Sequence, residues 1–176
     1  MSKLKELTWE HHQRAERTEF ARQLLKGLSP VEYHRYLTNQ FQIYYSLERA
    51  AEEILRDFPN MARSNKIKQD LDELEVTYNL GKDPTMITNT AERYSAHVFT
   101  LNRNQLLAHL YVRHFGDMYG GQMIKKRNPG QGRMYDFDDV ENLKTSFRSL
   151  LNDDMADEAN RCFEFAMQLF EELSNE

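Results

Sequence analysis

The segment from Tyr111 to Lys126 has a helical pattern but holds three glycines in six residues, at Gly116, Gly120 and Gly121. Each glycine costs a helix interior about 1 kcal/mol relative to alanine, so together they cost roughly 3 kcal/mol. Because a domain is typically stable by only about 5 to 15 kcal/mol, some requirement must offset that cost. The pattern predicts a bent backbone or the close approach of a flat ligand. A close crossing of two helices is the alternative.

Asp117 directly follows the first of these glycines and stands among Phe115, Met118 and Met123. A carboxylate is costly to bury without hydrogen-bond partners, but it can hold ordered water in a confined pocket. The sequence therefore predicts that Asp117 holds ordered water in a pocket. A surface or capping carboxylate is the simpler alternative.

Two histidines, His11 and His12, stand in the first predicted helix, and Glu16 follows His12 by four residues. Residues four apart share one face of a helix. A neutral imidazole can bind iron through one nitrogen while a carboxylate orients it through the other. Periodicity does not choose between the histidines, because His11 shares the apolar stripe of Leu4 and Leu7 while His12 lies on a neighbouring face. Both could also be ordinary helix residues.

Other metal and nucleophile motifs are missing from the sequence. No glutamate is followed three residues later by histidine, as in di-iron bundles, and neither His-Glu-x-x-His nor Cys-x-x-Cys occurs. The single cysteine, Cys162, has no supporting motif and stands near Phe163 and Phe165, as a packed cysteine would. We therefore expect no metal besides iron.

The charge pattern argues against one class of partner. A net charge of −5 disfavours broad nucleic-acid binding, which needs a concentrated basic face. Two local basic clusters remain, at Lys125–Arg127 and from Lys144 to Arg148. Either could dock an acidic protein or an anionic ligand, or could be a solvated helix end.

Apolar residues recur at three- and four-residue steps, which indicates an all-α fold without a sheet. Ser29-Pro30-Val31-Glu32 is a clear helix start, with a serine cap, proline at the first position and glutamate completing a capping box. We expect one domain over residues 1–176, built from about seven helical segments. Their predicted bounds are Ser2–Lys26, Ser29–Asp57, Arg63–Tyr78, Thr85–Val98, Asn104–Arg127, Asp139–Leu151 and Met155–Leu173.

The sequence also bears on the compartment. No apolar run is long enough to span a membrane, the first residues lack a signal peptide, and no apolar tail follows Leu173. A lone cysteine needs no oxidising compartment. We expect a soluble, cytoplasmic monomer without a membrane anchor.

Taken together, these residues resemble the heme oxygenase family, specifically its soluble biliverdin-forming branch with cyanobacterial and plastid members. Tyr111–Lys126 is similar to the family's distal-helix signature, and His12–Phe20 is similar to its proximal segment, whose register selects His12 over His11. Weaker similarity extends the match over most of the chain, at Tyr44–Glu48, Lys144–Asn152 and Phe163–Leu173.

The resemblance implies a helical bundle that holds heme b between a proximal helix and a kinked distal helix. Heme would be both cofactor and substrate, cleaved with O2 and electrons to biliverdin IXα, carbon monoxide and ferrous iron. The electrons would come from a ferredoxin or a reductase, and the basic groups at Lys125–Arg127 and Arg133 could receive it. A heme carrier or sensor of the same fold is the first alternative, and a heme-free enzyme similar to the thiaminase-like bundles is the second.

Residue roles follow from the resemblance position by position. On the proximal side, His12 would ligate the iron and Glu16 would tune it. On the distal side, Gly116 and Gly120 would lie against the heme and Asp117 would organise proton-delivering water. The remaining positions would assist Asp117, brace the distal side, meet the propionates or pack the pocket: Tyr44, Arg113, Tyr111, Gly121, Lys5, Lys144, Arg148 and Phe163.

Three positions depart from the family's pattern. Trp9 stands where a basic residue is common, so one propionate contact would be absent or replaced by ring packing. His114 and Tyr119 stand where other side chains are common, which would alter the distal hydrogen bonds and the shape of the pocket.

Overall fold

Ten α-helices follow one another in the part of the chain that the structure describes. The computed structural model describes residues 2–174, and no strand occurs there, which confirms the all-α prediction. The helices are α1 (Leu4–Glu16), α2 (Glu19–Lys26), α3 (Pro30–Ala50), α4 (Glu52–Leu55), α5 (Ser64–Tyr78), α6 (Asn89–Val98), α7 (Arg103–Leu110), α8 (Gly116–Arg127), α9 (Val140–Arg148) and α10 (Ala156–Ser174).

The longest helix, α3, lies at the centre of the core. Its start is the predicted one, because Ser29 and Glu32 form both hydrogen bonds of a capping box and Pro30 takes the first helical position. The side chains of Leu37 and Leu47 on α3 are fully buried. Helices α5 and α6 pack against this helix, so α3 has neighbouring helices on more than one side.

The prediction of one helix from Ser2 to Lys26 is wrong, because the helix is interrupted between α1 and α2. Thr18 takes an extended conformation, and its hydroxyl accepts a hydrogen bond from the backbone N–H of Ala21 to begin α2. Threonine is a preferred N-cap residue, which is why the break falls there. The end at Gly27 is as predicted: this glycine has a φ of +112°, and a Cβ there would strike the carbonyl oxygen of Arg127.

The second predicted helix ends earlier than Asp57. Helix α3 stops at Ala50, and after Ala51 only the four-residue α4 continues toward Phe58. The long segment predicted from Asn104 to Arg127 is helical throughout but irregular.

This irregularity lies before the glycines rather than at them. Between α7 and α8 the residues Tyr111–Phe115 form a π-helical turn, a rare feature that is frequently found at functional sites. Gly116 has ordinary helical angles, with φ −56° and ψ −44°. The glycines therefore do not break the helix.

Helices from both ends of the chain meet around one open space. Helix α1 packs along α10, and α2 packs against both α8 and α10. This arrangement places α1 opposite the π-helical turn and the start of α8, with a cavity between them. None of the helices described in residues 2–174 is long and apolar enough to cross a membrane.

Candidate functional site

A cavity of about 690 Å³ separates α1 from the π-helical turn and α8. Its size falls within the range of small-molecule pockets. It brings together eight of the predicted site residues, which are Lys5, His12, Glu16, Tyr111, Gly116, Gly120, Arg148 and Phe163. A smaller cavity of about 280 Å³ lies between α3 and α5, and no predicted site residue borders it.

The α1 wall holds His12 in a defined position. One imidazole nitrogen, Nε2, lies 2.8 Å from Glu16 Oε1. The ring stacks on Phe163 of α10, with centroids 5.5 Å apart and planes 17° apart, and meets the edge of Trp9. The other ring nitrogen is available to a ligand. His11 instead lies 3.3 Å from Glu164 and does not line the cavity.

The opposite wall is bare at two glycines. A Cβ added to Gly116 or to Gly120 would meet no atom within 4 Å, and both residues line the cavity. No second helix crosses there, so the alternative of a close helix crossing is wrong at these two positions. What these glycines provide is open space for a flat group against the helix backbone.

Gly121, which was expected to contact the cofactor, instead faces Tyr135. It is buried on the other side of α8, where an added Cβ would stand 2.9 Å from Cγ of Tyr135. It does not line the cavity. Its missing side chain serves packing.

The two kinds of glycine predict opposite effects of alanine. Gly121→Ala should lower the free energy of unfolding by about 1 to 3 kcal/mol, because the methyl group overpacks the core against Tyr135. Gly120→Ala should leave stability unchanged or raise it by up to about 1 kcal/mol. Urea unfolding of both variants without ligand measures this, and an equal loss in both would contradict the assignment.

Asp117 lies behind the glycine wall and points toward α3. The hydroxyl of Tyr44, which is buried, donates a hydrogen bond of 2.5 Å to Asp117 Oδ2. Burial raises the pKa of Asp117 to about 7, although the Tyr44 hydrogen bond and the charges of His114, Arg113 and Arg63 oppose the rise. Asp117 does not line the cavity, so it can act there only through an intervening group such as water.

A raised pKa at Asp117 predicts how stability depends on pH. In the unfolded chain an aspartate titrates near 3.9, so between about pH 4 and 7 the folded state keeps a proton that the unfolded state has lost. Stability should therefore fall as pH rises through this window, by at most about 4 kcal/mol for this one group. In Asp117→Asn this part of the pH dependence of stability should be absent. Urea unfolding at pH 4.5 and 8 tests this, and parallel profiles for the two proteins would contradict it.

Three buried polar atoms near Asp117 have no hydrogen-bond partner among the described residues: Gln40 Oε1, Arg113 Nη2 and His114 Nδ1. Buried polar groups are almost always satisfied by protein or by ordered water. His114 Nε2 lies 2.9 Å from Glu48, while the Arg113 Nε donates to the Tyr94 hydroxyl at 2.9 Å. These atoms fit a distal region that holds water.

Two of the three predicted anion-binding cations, Arg148 and Lys144, contact Tyr119. Arg148 lines the cavity and donates a hydrogen bond to the Tyr119 hydroxyl. Lys144 does not line it; its Nζ lies 4.0 Å from the centroid of the Tyr119 ring and 3.7 Å from Glu141. Lys5 lines the cavity from α1. Tyr119 therefore stands between Lys144 and the space where an anionic group would bind.

The basic surface predicted for an electron donor is partly neutralised. Lys125 forms an ion pair with Asp136, and Arg133 pairs with Glu73 at 2.8 Å. Lys126 and Arg127 are exposed.

The residues present fit heme. The cavity has an imidazole on one wall, a helix without side chains at two positions on the other, and the cations Lys5 and Arg148 for carboxylates. Several further lining residues were not predicted, including the polar Thr8 and the apolar Val112, Phe115 and Leu151. Only the helical stripes of α1 and of the Tyr111–Phe115 turn could have indicated those positions.

Comparisons with known proteins agree with this geometry. The family model described as heme oxygenase matches residues 1–172. The chain is 29% identical to heme oxygenase 2 of Macaca fascicularis, over 97% of this chain and 64% of that protein, so it spans less than two thirds of the length of that relative. It is 28% identical to the heme oxygenase of Porphyra purpurea, over 99% of this chain and 86% of the relative.

Solved structures show the same fold. Heme oxygenase-1 of the cyanobacterium Synechocystis, solved in complex with heme, superposes with a TM-score of 0.82. The two chains are 26% identical, and the match covers 97% of this chain and 90% of the other.

Proposed function

This chain belongs to the heme oxygenase family, and we propose that it binds heme between α1 and α8 and cleaves it oxidatively to biliverdin, carbon monoxide and ferrous iron. The observation that carries the proposal is the pairing of His12 on one wall with Gly116 and Gly120 on the other wall of the same cavity. Together they would give a flat porphyrin an imidazole for its iron and open space against the helix on the other side.

Heme, when bound, supplies the iron that activates O2 and the porphyrin carbon that is oxidised. His12 would hold the iron through its imidazole, which Glu16 and the stacked Phe163 ring orient. Lys5 and Arg148 bind the propionates by charge-assisted hydrogen bonds. Lys144 holds Tyr119 in position rather than binding a propionate itself.

Asp117 acts as the proton store on the distal side. With its pKa near 7 it is present in both protonation states at neutral pH, as a proton-transfer group should be. Tyr44 positions its carboxyl group, and Arg113 braces the region through Tyr94. Because Asp117 lies behind the glycine wall, it passes the proton through water rather than by direct contact, which keeps the carboxyl group itself away from the reacting face.

The proposed electron donor is an acidic protein, a ferredoxin or a reductase. Exposed Lys126 and Arg127 on α8, with Arg148 at the cavity, support this assignment by their charge. Buried Cys162 needs no oxidising compartment, which supports a cytoplasmic location.

The test is an aerobic reaction of the heme-loaded chain, supplied in parallel with ferredoxin plus its reductase, with ascorbate, or with no reductant. The heme absorption band should disappear and a bilin band should rise in both reduced samples. The reaction with ferredoxin should slow as salt is added, because surface charge drives docking. A heme band that persists under both reductants would contradict the activity, whereas turnover with ascorbate alone would contradict only the proposed donor.

A further inference from the structure

Three potential metal ligands converge on the far side of α7, outside the heme cavity. His97 of α6, His109 of α7 and Glu158 of α10 each direct one ligand atom to a common point, and these atoms lie within 4.8 Å of one another. Both histidines approach the same carboxylate oxygen: His97 Nε2 lies 2.5 Å and His109 Nε2 lies 2.8 Å from Glu158 Oε1. None of the three lines the heme cavity.

We propose that His97, His109 and Glu158 form a binding site for a divalent first-row transition metal ion such as zinc. Two imidazoles and one carboxylate are an established donor set for zinc, with a further position left for water. Zinc binds imidazole nitrogen at about 2.0 to 2.1 Å and carboxylate oxygen at about 2.0 to 2.2 Å. The nitrogen–oxygen pairs need to widen by less than about 1 Å to admit the ion at those distances.

The surroundings hold the ligands in place. The second nitrogen of His109, Nδ1, lies 2.7 Å from the Tyr94 hydroxyl, and a hydrogen bond at that nitrogen is what usually orients a metal-binding histidine. Glu158 is buried, and its other oxygen lies 4.0 Å from Arg161, so Oε1 is left for the site. Burial raises the pKa of Glu158, but the hydrogen bonds from His109 and His97 outweigh it and lower the pKa to about 2, so the carboxylate is ionised.

Access and charge favour a soft or borderline cation over a hard one. The side chain of His109 is fully buried, but that of His97 is 19% exposed, so an ion can reach the site from that edge. A dication would replace the proton that the histidines and Glu158 share, and would leave the site with a net charge near +1. The nearby positive charges of Arg161 and Arg113 make that charge less favourable. Only a metal that binds strongly to imidazole nitrogen gains enough to offset this unfavourable charge. Zinc should therefore bind, and magnesium, which prefers oxygen ligands, should not. The site therefore adds a metal that the sequence motifs did not predict.

The test is calorimetric titration of Zn²⁺ into the heme-loaded full chain, in which heme occupies His12. The wild type should bind one Zn²⁺ and should gain thermal stability, since the ion links α6, α7 and α10. His97→Gln keeps an N–H for Glu158 but lacks the ligand nitrogen, so its affinity should fall at least about tenfold. His11→Gln, which alters a similar histidine–glutamate pair on the surface, should bind as the wild type does.

Several outcomes would overturn the site. These are no Zn²⁺ uptake by the wild type, equal affinity in His97→Gln, or equally tight Mg²⁺ binding. X-ray absorption at the zinc edge of the loaded wild type gives a measurement that needs no variant. Two imidazole nitrogens per zinc support the site, and fewer than two overturn it.

Discussion

Asp117→Asn should retain heme but form biliverdin at least about 100-fold more slowly, the smaller end of what a proton-transfer group contributes. Asparagine can still accept the hydrogen bond from Tyr44, so the fold and the position of the side chain are preserved. It cannot hold or release the proton that burial keeps on Asp117 near neutral pH. The measurement is biliverdin yield per heme by chromatography under single turnover. Heme that is consumed without ring opening would show that the oxidation is diverted.

The matched control is Asp154→Asn, which alters an exposed acid outside the cavity lining. It should turn over at the wild-type rate. A wild-type yield of biliverdin from Asp117→Asn would remove Asp117 from the proton pathway.

His12→Ala should lose the absorption spectrum of imidazole-ligated heme and bind heme at least about tenfold more weakly. The reason is that His12 is the one histidine in the described cavity lining, and its ring is already oriented by Glu16 and Phe163. Added imidazole should restore the spectrum by filling the space left by the side chain. Spectral titration of hemin into both proteins measures the change.

His11→Ala is the control for this variant, because its neighbouring ring contacts Glu164 and stays outside the cavity. Its spectrum should match that of the wild type. If His12→Ala kept the normal spectrum and His11→Ala lost it, the ligand would be His11.

Local sequence signals predicted part of the helical architecture. The start of α3 at Ser29 and the end of α2 at Gly27 follow from capping chemistry that a few adjacent residues contain. The break at Thr18 was missed, since the helical pattern of α1 continues toward α2 without a glycine or proline to interrupt it. The π-helical turn before Gly116 was also missed, because no local residue pattern distinguishes it from an ordinary helical turn.

The site was predictable where a single helix carries it and not where distant helices meet. Glu16 follows from spacing along α1, but spacing does not choose between His11 and His12. The resemblance selects His12, and His12 is the histidine whose ring stacks on Phe163 of α10. Gly121 was assigned to the ligand because its partner, Tyr135, is reached only after the intervening loop folds back. Likewise, the contact between Tyr119 and Arg148 joins two helices that sequence spacing does not relate.

The three proposed zinc ligands were not predicted for the same reason. His97, His109 and Glu158 come from three helices, so no motif with fixed local spacing contains them. Each histidine read alone is an ordinary helix residue, and only the packing of α10 on α6 and α7 brings the carboxylate between them.

If this chain opens the ring of the heme it binds, carbon monoxide and biliverdin must appear together. Both can be measured in air with the hemin-loaded chain and a ferredoxin system, as the amount formed per heme consumed. We expect equal amounts of both products, each matching the heme lost. Heme that stays intact, or that is lost without carbon monoxide and biliverdin, would contradict it.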